Sequence, residues 1–600
     1  MAQKSLPYAD GMELAHFDGP EVHDEYRGME FNKYPGMSDD GSEKLAFTSS
    51  HVYDEDRGSA LNRDLKTRQI AMIALGGALG TGLLINTRLC DYADLDSGPT
   101  LAASGPGSML IGYAIVGVLC YAVMAAMGEM AAWLPIPSGF TGFAHRFVDP
   151  ALGFALGWNY WFKYIITTPN NLIASVLVIK FWFGKSGYDG PGANSAIYVC
   201  IFLAAIIAIN YFGVGIFGEF EFWLSSTKVL IMLGLIIFTF VLAVGGGPSH
   251  ETPGFRYWSD PGAFAPYKIS GSGGRFLGFW NVLSSAVFSF LGAELVGVTV
   301  GEAQNPRKAI PRAVKLTFFR IVFFYIVLIF LLGMNVPYNS KLLLSANHES
   351  GKTVSAEGSP FVVAAIIAGI DGLADLINVC LLVFTFSAAN SDLYIATRTL
   401  YSLAIEGNAP KVFARTNDRG VPIYALGLSS TCCLLAFIST DVGTFQTFQY
   451  FVTLVTIFGI LTWISILVSH IYFVRARRAQ HIPDTALAYV SPFGTIGSSA
   501  ALVFALVILI FNGWGTFVNG FDWRNFIVSY IGIPIFLVMF GGYKVLMKST
   551  TWTAEEADLY SGKAKIDAQE AEFLESEVKR YSANATKYQK IYRVTLGHFF

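Results

Sequence analysis

Three ionisable side chains lie inside runs that are otherwise apolar: Lys163, Lys228 and Glu294. An intramembrane charge is expensive, so it has a task or a partner. Glu294 stands beside Gly292 in the run Ala286 to Thr299. Burial favours the neutral form of a carboxyl, which suits a proton carrier; the plain alternative is a structural, hydrogen-bonded Glu. Lys228 fits the place of a sodium ion in sodium-coupled carriers, paired with backbone carbonyls. The alternative is a Lys that snorkels to the cytoplasmic surface. At 100° per residue, Lys163, Thr167, Asn170 and Asn171 share one helical face. A cation with amides on an inward face favours a substrate with an extra negative charge, against snorkelling or a structural ion pair. Pro169 removes the hydrogen bond to Ile165 and loosens this helix.

The elements that position these groups are themselves unusual. The run Ile70 to Ile85 contains Gly76, Gly77, Gly80, Thr81 and Gly82, and the run around Glu294 contains Gly292 and Gly297. Glycine weakens a helix at mid-bilayer, and freed backbone survives there only if it lines a protected cavity. Backbone N–H groups at Gly80, Thr81 and Gly82, near the positive end of a half-helix, suit a carboxylate. Close packing through Gly76 and Gly80 is the structural alternative. Paired broken segments in corresponding halves of a membrane chain point to a carrier's substrate site.

Composition supports a membrane protein. Of 600 residues, 53% are hydrophobic and 14% charged, whereas soluble domains carry about a quarter charged residues. The 49 Phe and 28 Tyr suit lipid-facing surfaces and interfacial belts. A net charge of -3 offers no nucleic-acid footprint. The six Cys lack metal-ligand spacing and read as packing residues, so neither metal nor cofactor is expected. Residues 1–64 contain no signal-like apolar core, so the first apolar segment is expected to act as an uncleaved membrane signal.

About twelve spans are expected, near 70–89, 107–133, 151–183, 195–213, 222–245, 277–301, 316–337, 361–398, 422–440, 446–474, 495–517 and 526–547. The third and eighth windows exceed one crossing, so part of each is expected at the interface. Basic residues flank the first span (Arg63, Lys66, Arg68), follow the sixth (Arg307, Lys308, Arg312, Lys315), follow the eighth (Lys411, Arg415, Arg419) and follow the tenth (Arg475, Arg477, Arg478). All fall on one side, which puts both tails in the cytoplasm. The breaks occupy spans one and six, giving an inverted 5+5 repeat with two appended helices. This is an all-α membrane fold. The domain reading is an N-terminal tail over 1–66 that is expected to be disordered, a transmembrane domain over 67–548 and a C-terminal tail over 549–600. The tails read either as regulatory, with a ubiquitin ligase and trafficking machinery as the expected partners, or as solvated segments with no specific task. In the C-terminal tail, Thr553 to Glu556 has a capping-box pattern and predicts a solvated helix. Asn390 and Asp392 form a polar patch in span eight that either faces the cavity or caps a helix interruption, and Glu129 near the cytoplasmic end of span two suits a structural or gating role rather than substrate contact.

Several motifs together resemble the fungal amino-acid permeases of the amino acid–polyamine–organocation superfamily: Met72 to Leu83, Asp149 to Phe154, Phe217 to Trp223, Glu302 to Lys308, and Asn390 to Tyr401. The resemblance implies the LeuT/APC-type fold and proton-coupled amino-acid uptake across the plasma membrane. It implies that Gly80, Thr81 and Gly82 bind the substrate α-carboxylate and that the carbonyls of Ala78, Phe288 and Leu291 take the α-ammonium. Phe288 would be the aromatic gate and Glu294 the protonatable carboxylate. Among these permeases the chain is most similar to those for dicarboxylic amino acids, through Phe162 to Tyr164, Thr168 to Asn170, Phe255 to Phe264 and Tyr530 to Pro534. Many members carry Glu where this chain has Asn171, and losing that acid favours anionic side chains. Two features depart from the family pattern: Ala293 replaces the usual Thr before Glu294, and residues 88–97 form an additional segment. The expected ligands are an amino acid and a proton, with Lys163, Thr167, Asn171 and Asn390 lining the site. A broad or neutral amino-acid permease, or a non-transporting sensor, is the competing reading. A membrane enzyme is disfavoured: no nucleophile elbow or phosphate loop is present.

Overall fold

In the computed structural model, long helices run through the chain because the sequence supplies apolar stretches with few interruptions. The structure describes residues 100–572 apart from 137, 187–193, 249, 251, 296, 298–305, 341–342, 344–358, 371, 441–443, 519, 565 and 569, together with Met72, Gly82 and Glu575. In chain order the helices are α1 (Thr100–Trp133), α2 (Gly139–Phe147), α3 (Pro150–Ser186), α4 (Ser195–Tyr211), α5 (Val214–Ala243) and α6 (Gly271–Phe290). Then come α7 (Pro306–Arg320), a π-helical stretch (Ile321–Val327), α8 (Leu328–Asn335), α9 (Pro360–Ile367), α10 (Leu373–Ile405) and α11 (Ile423–Cys432). The last are α12 (Thr444–Ala479), α13 (Gly494–Phe511), α14 (Trp523–Tyr530) and α15 (Gly532–Met547). Among the described residues, eight helices are long and apolar enough to cross a membrane, or nine if the bent α14–α15 pair is one span. The expected first span lies outside the described residues save for Met72 and Gly82, and the expected fourth is the 17-residue α4.

Outward faces carry Val118, Leu230, Ile237 and Val503, all exposed. Water would penalise such a surface, whereas lipid does not. Inside, α3 is the central post, packed against α10, α12, α2 and α15. Its 37 residues form one helix despite Pro169, so no part of the third window breaks away at the interface. The eighth window does divide. Gly369 and Gly372 both adopt positive φ, 66° and 77°, and separate α9 from α10. Near the start of α1, Gly105 (φ 77°) and Gly107 let the chain approach Ala263 closely, and Gly107 N–H donates to its carbonyl at 2.7 Å.

The described residues after α15 dock against the helices at several points. Trp552 donates to the carbonyls of Val148 and His145, both at 2.9 Å. Trp133 of α1 donates to the Leu559 carbonyl at 2.9 Å, and Gln480 beyond α12 donates to that of Ala557 at 2.8 Å. Arg307 pairs with Glu570 at 2.8 Å and with Asp567. The Thr553–Glu556 pattern closes a turn, with Thr553 Oγ1 donating to Glu556 Oε2 at 2.8 Å, and no helix follows until residue 563. Burial works to raise the Asp149 carboxyl, yet donors from Lys544, Ala151, Ser549 and Thr551 hold it below the usual range. That anion anchors the start of the strap. Leu559 is fully buried. Truncating a buried Leu to Ala removes about 2–5 kcal/mol. In Leu559→Ala, trypsin should therefore cut at Lys563 at least about tenfold faster, because cleavage follows the undocked population.

Candidate functional site

The break expected in span six is present. Helix α6 ends at Phe290, residues 291–294 form a turn with Gly292 at φ 96°, and helix resumes at Leu295. Only glycine adopts that φ without strain. The carbonyls that the interrupted helix leaves behind have identifiable partners. Leu291 N–H reaches those of Val287 and Phe288, at 3.1 and 3.2 Å, and Ala293 N–H points to Phe290 at 3.4 Å. Gly82 lies alongside: a Cβ built on it would lie 2.5 Å from the Ser289 Cα, so a side chain there would force the two residues apart. Ala78, Gly80 and Thr81, and with them the break expected in span one, lie outside the described residues.

Lys163 and Glu294, which the sequence presents 131 positions apart, form one ion pair. Lys163 is 1% exposed and Glu294 0%. Trp463 of α12 donates to Glu294 Oε2 at 3.3 Å, and Gly292 N–H reaches the same oxygen at 3.1 Å. The ammonium also lies 4.7 Å from the Tyr164 ring centre and 5.3 Å from that of Tyr160. A buried pair of this kind holds only while both partners are present; removing one leaves an uncompensated charge. Lys163 is therefore not a free cation waiting for substrate. It is already matched, at the break itself.

A second polar cluster joins α3, α5 and α10. Asn171 donates to Asp392 Oδ2 at 2.6 Å, and Ser175 to Thr385 at 2.7 Å. Lys228 is fully buried and pairs with Glu221 at 3.5 Å on the same helix. Among the described residues its ionic partner is thus a carboxylate. Glu221 also accepts from Ser225 at 2.9 Å and from Ser387 at 3.2 Å. Asp392, 7% exposed, returns a carboxylate to the place where Asn171 had been read as losing one. Among the described residues, Lys163 and Lys228 thus face three buried carboxylates: Glu294, Glu221 and Asp392.

The remaining expected site residues are placed as follows. Thr167 donates to the Lys163 carbonyl at 2.7 Å, within its own helix. Asn390 accepts from Asn210 of α4 at 3.1 Å and so faces that helix. Asn170, on the Lys163 face, is fully buried, and neither amide atom has a hydrogen-bond partner among the described residues. Phe288 is buried in the last turn of α6, beside the break. Glu129 lies in a separate buried cluster, 3.1 Å from His470 Nε2 and 3.6 Å from Arg477, and accepts from Ser491 N–H at 2.8 Å. Sequence reasoning missed Glu221 and Trp463. Glu221 had a usable signal: it precedes Lys228 by two helical turns, on one face.

The family model described as amino acid permease matches residues 69–555. A dicarboxylic amino acid permease of Saccharomyces cerevisiae is 46% identical over 552 residues, covering 91% of this chain and 88% of the relative. An uncharacterized amino-acid permease of Schizosaccharomyces pombe is 43% identical over 528 residues, covering 87% and 97%. The solved structure of Mhp1, a nucleobase-cation-symport-1 family transporter in a closed conformation with bromovinylhydantoin bound, superposes with a TM-score of 0.45 at 15% identity, over 84% of this chain and 98% of that one. An all-helical, multi-pass membrane chain that matches this family across its whole transmembrane region is a transporter of amino acids and not an enzyme: it belongs to the amino acid permease family.

Proposed function

We propose that this permease imports acidic amino acids, L-glutamate and L-aspartate, together with protons, across the plasma membrane by alternating access within an inverted 5+5 repeat, with both tails cytoplasmic. The observation that carries the reading is the buried Lys163–Glu294 pair at the break in span six. The dicarboxylic substrate named for the 46% identical relative supports the same choice.

The pair makes proton and anion interdependent. With Glu294 ionised, Lys163 has its counter-charge, and a second carboxylate would enter without compensation. Protonating Glu294 releases the ammonium for the substrate side-chain carboxylate. The headgroup is then held by main chain: N–H groups of Gly80, Thr81 and Gly82 on the α-carboxylate, carbonyls of Ala78, Phe288 and Leu291 on the α-ammonium. Phe288 closes over the ligand, and the bundle turns inward. At the less acidic cytoplasmic side Glu294 loses its proton, recovers Lys163 and displaces the substrate carboxylate. Lys228, paired with Glu221, and Asp392 keep further titratable charge close to the path.

Asp392 is the observation that favours a broader or neutral substrate, since it restores an acid beside Asn171. Radiolabelled glutamate uptake in a permease-deficient yeast distinguishes the two. Aspartate should compete strongly, a large excess of proline or lysine should not, and uptake should rise as the medium is acidified. Equal competition by neutral amino acids would make this a broad permease. Surface-delivered protein with no uptake of any amino acid would make it a sensor.

A further inference from the structure

At the turn Leu291–Glu294, the Ser289 carbonyl has no main-chain donor among the described residues. In an unbroken helix the Ser289 carbonyl would accept from Ala293 N–H, but that N–H is directed to Phe290 instead. The Ser289 carbonyl accepts from the Tyr325 hydroxyl at 2.9 Å. Both residues are buried, so no water stands ready to replace that donor. Tyr325 lies in the π-helical stretch Ile321–Val327, and such stretches recur at functional sites. Its ring stacks on Phe290, centroids 4.4 Å apart, which holds the hydroxyl in place. Around the same residue, Tyr113 of α1 bonds the Ser289 hydroxyl at 3.0 Å, and Gly82 of span one presses on the Ser289 Cα.

We infer that Tyr325 is a positioning residue for amino-acid binding: its hydroxyl takes the place of the missing amide donor and holds α6 open at the break. The peptide units on either side carry the Phe288 and Leu291 carbonyls. If the Ser289 carbonyl loses its donor, the segment recovers a bond by winding one residue further, and those carbonyls turn away from the ligand. The inference rests on the reading that the break is the amino-acid site.

Tyr325→Phe tests it, because the ring keeps its stack and only the hydroxyl goes. KM for glutamate should rise about tenfold with Vmax per surface-delivered carrier within about twofold, the loss expected for one buried acceptor left without its partner. Tyr113→Phe and Ser289→Ala disturb the Ser289 hydroxyl but leave its carbonyl satisfied, so both should shift KM by less than about twofold. A Tyr325→Phe carrier with unchanged KM overturns the inference, as does one that fails to reach the membrane, which would assign Tyr325 to folding. Equal KM shifts in all three variants overturn it too, since the carbonyl would then not be the feature that matters. Glu294→Gln measured alongside separates the two levels. If it is impaired while Tyr325→Phe is silent, only the positioning role fails; if both behave as wild type, the break is not the site.

Discussion

Glu294→Gln should abolish uphill accumulation of glutamate while leaving exchange of internal for external glutamate substantially intact. Gln has the shape of a protonated Glu and cannot cycle a proton. Lys163 then stays available to substrate in every conformation, so binding and reorientation of the loaded carrier continue. What disappears is the link between the proton gradient and the load. One coupled proton supports about tenfold accumulation for each unit of pH gradient, so a gradient of about two units is worth roughly 100-fold. In the variant, the internal concentration should not exceed the external one. Counterflow in cells preloaded with unlabelled glutamate supplies the second half of the test. Undiminished accumulation would remove Glu294 from proton coupling, and loss of exchange along with accumulation would make its role structural.

Lys163→Ala should weaken glutamate binding by at least about 30-fold, the lower end for losing one side of a desolvated charge pair. Uptake of any neutral amino acid the carrier accepts should fall far less. The asymmetry follows from the geometry. Without the ammonium, the lone Glu294 carboxylate is neutralised by a proton, and the main-chain grip on the headgroup does not involve Lys163. The side-chain carboxylate of glutamate, by contrast, enters a pocket that has lost the Lys163 ammonium at the break. Competition of neutral against acidic amino acids in the same cells reads the difference directly. Equal losses for both classes would sink the side-chain assignment.

The sequence exposed the break and the charges, and concealed how they combine. Gly292 and Glu294 stand out in an apolar run, and the structure interrupts the helix there. Lys163 is equally conspicuous, yet its match with Glu294 depends on how α3 meets the end of α6, which no local pattern encodes. Glu221 escaped because the expected fifth span began at 222, whereas α5 starts at Val214 and carries Glu221 inside. Propensity placed the boundary, whereas Lys228 on the same helix and Ser387 of α10 give Glu221 its partners inside it. Gly369 and Gly372 were readable as a break between α9 and α10, but the apolar run on both sides masked them. In the tail, a helix-start pattern at Thr553 was overridden by anchoring at Trp133, His145 and Gln480, contacts too distant in sequence to anticipate.

If one ammonium serves two carboxylates in turn, then binding the second must protonate the first. Purified carrier in weakly buffered detergent solution, titrated with glutamate while pH is recorded, measures this without any membrane gradient. The expected result is uptake of about one proton per glutamate bound, absent in Glu294→Gln and absent when a neutral amino acid binds. Saturable glutamate binding with no change in pH would contradict the account at its root.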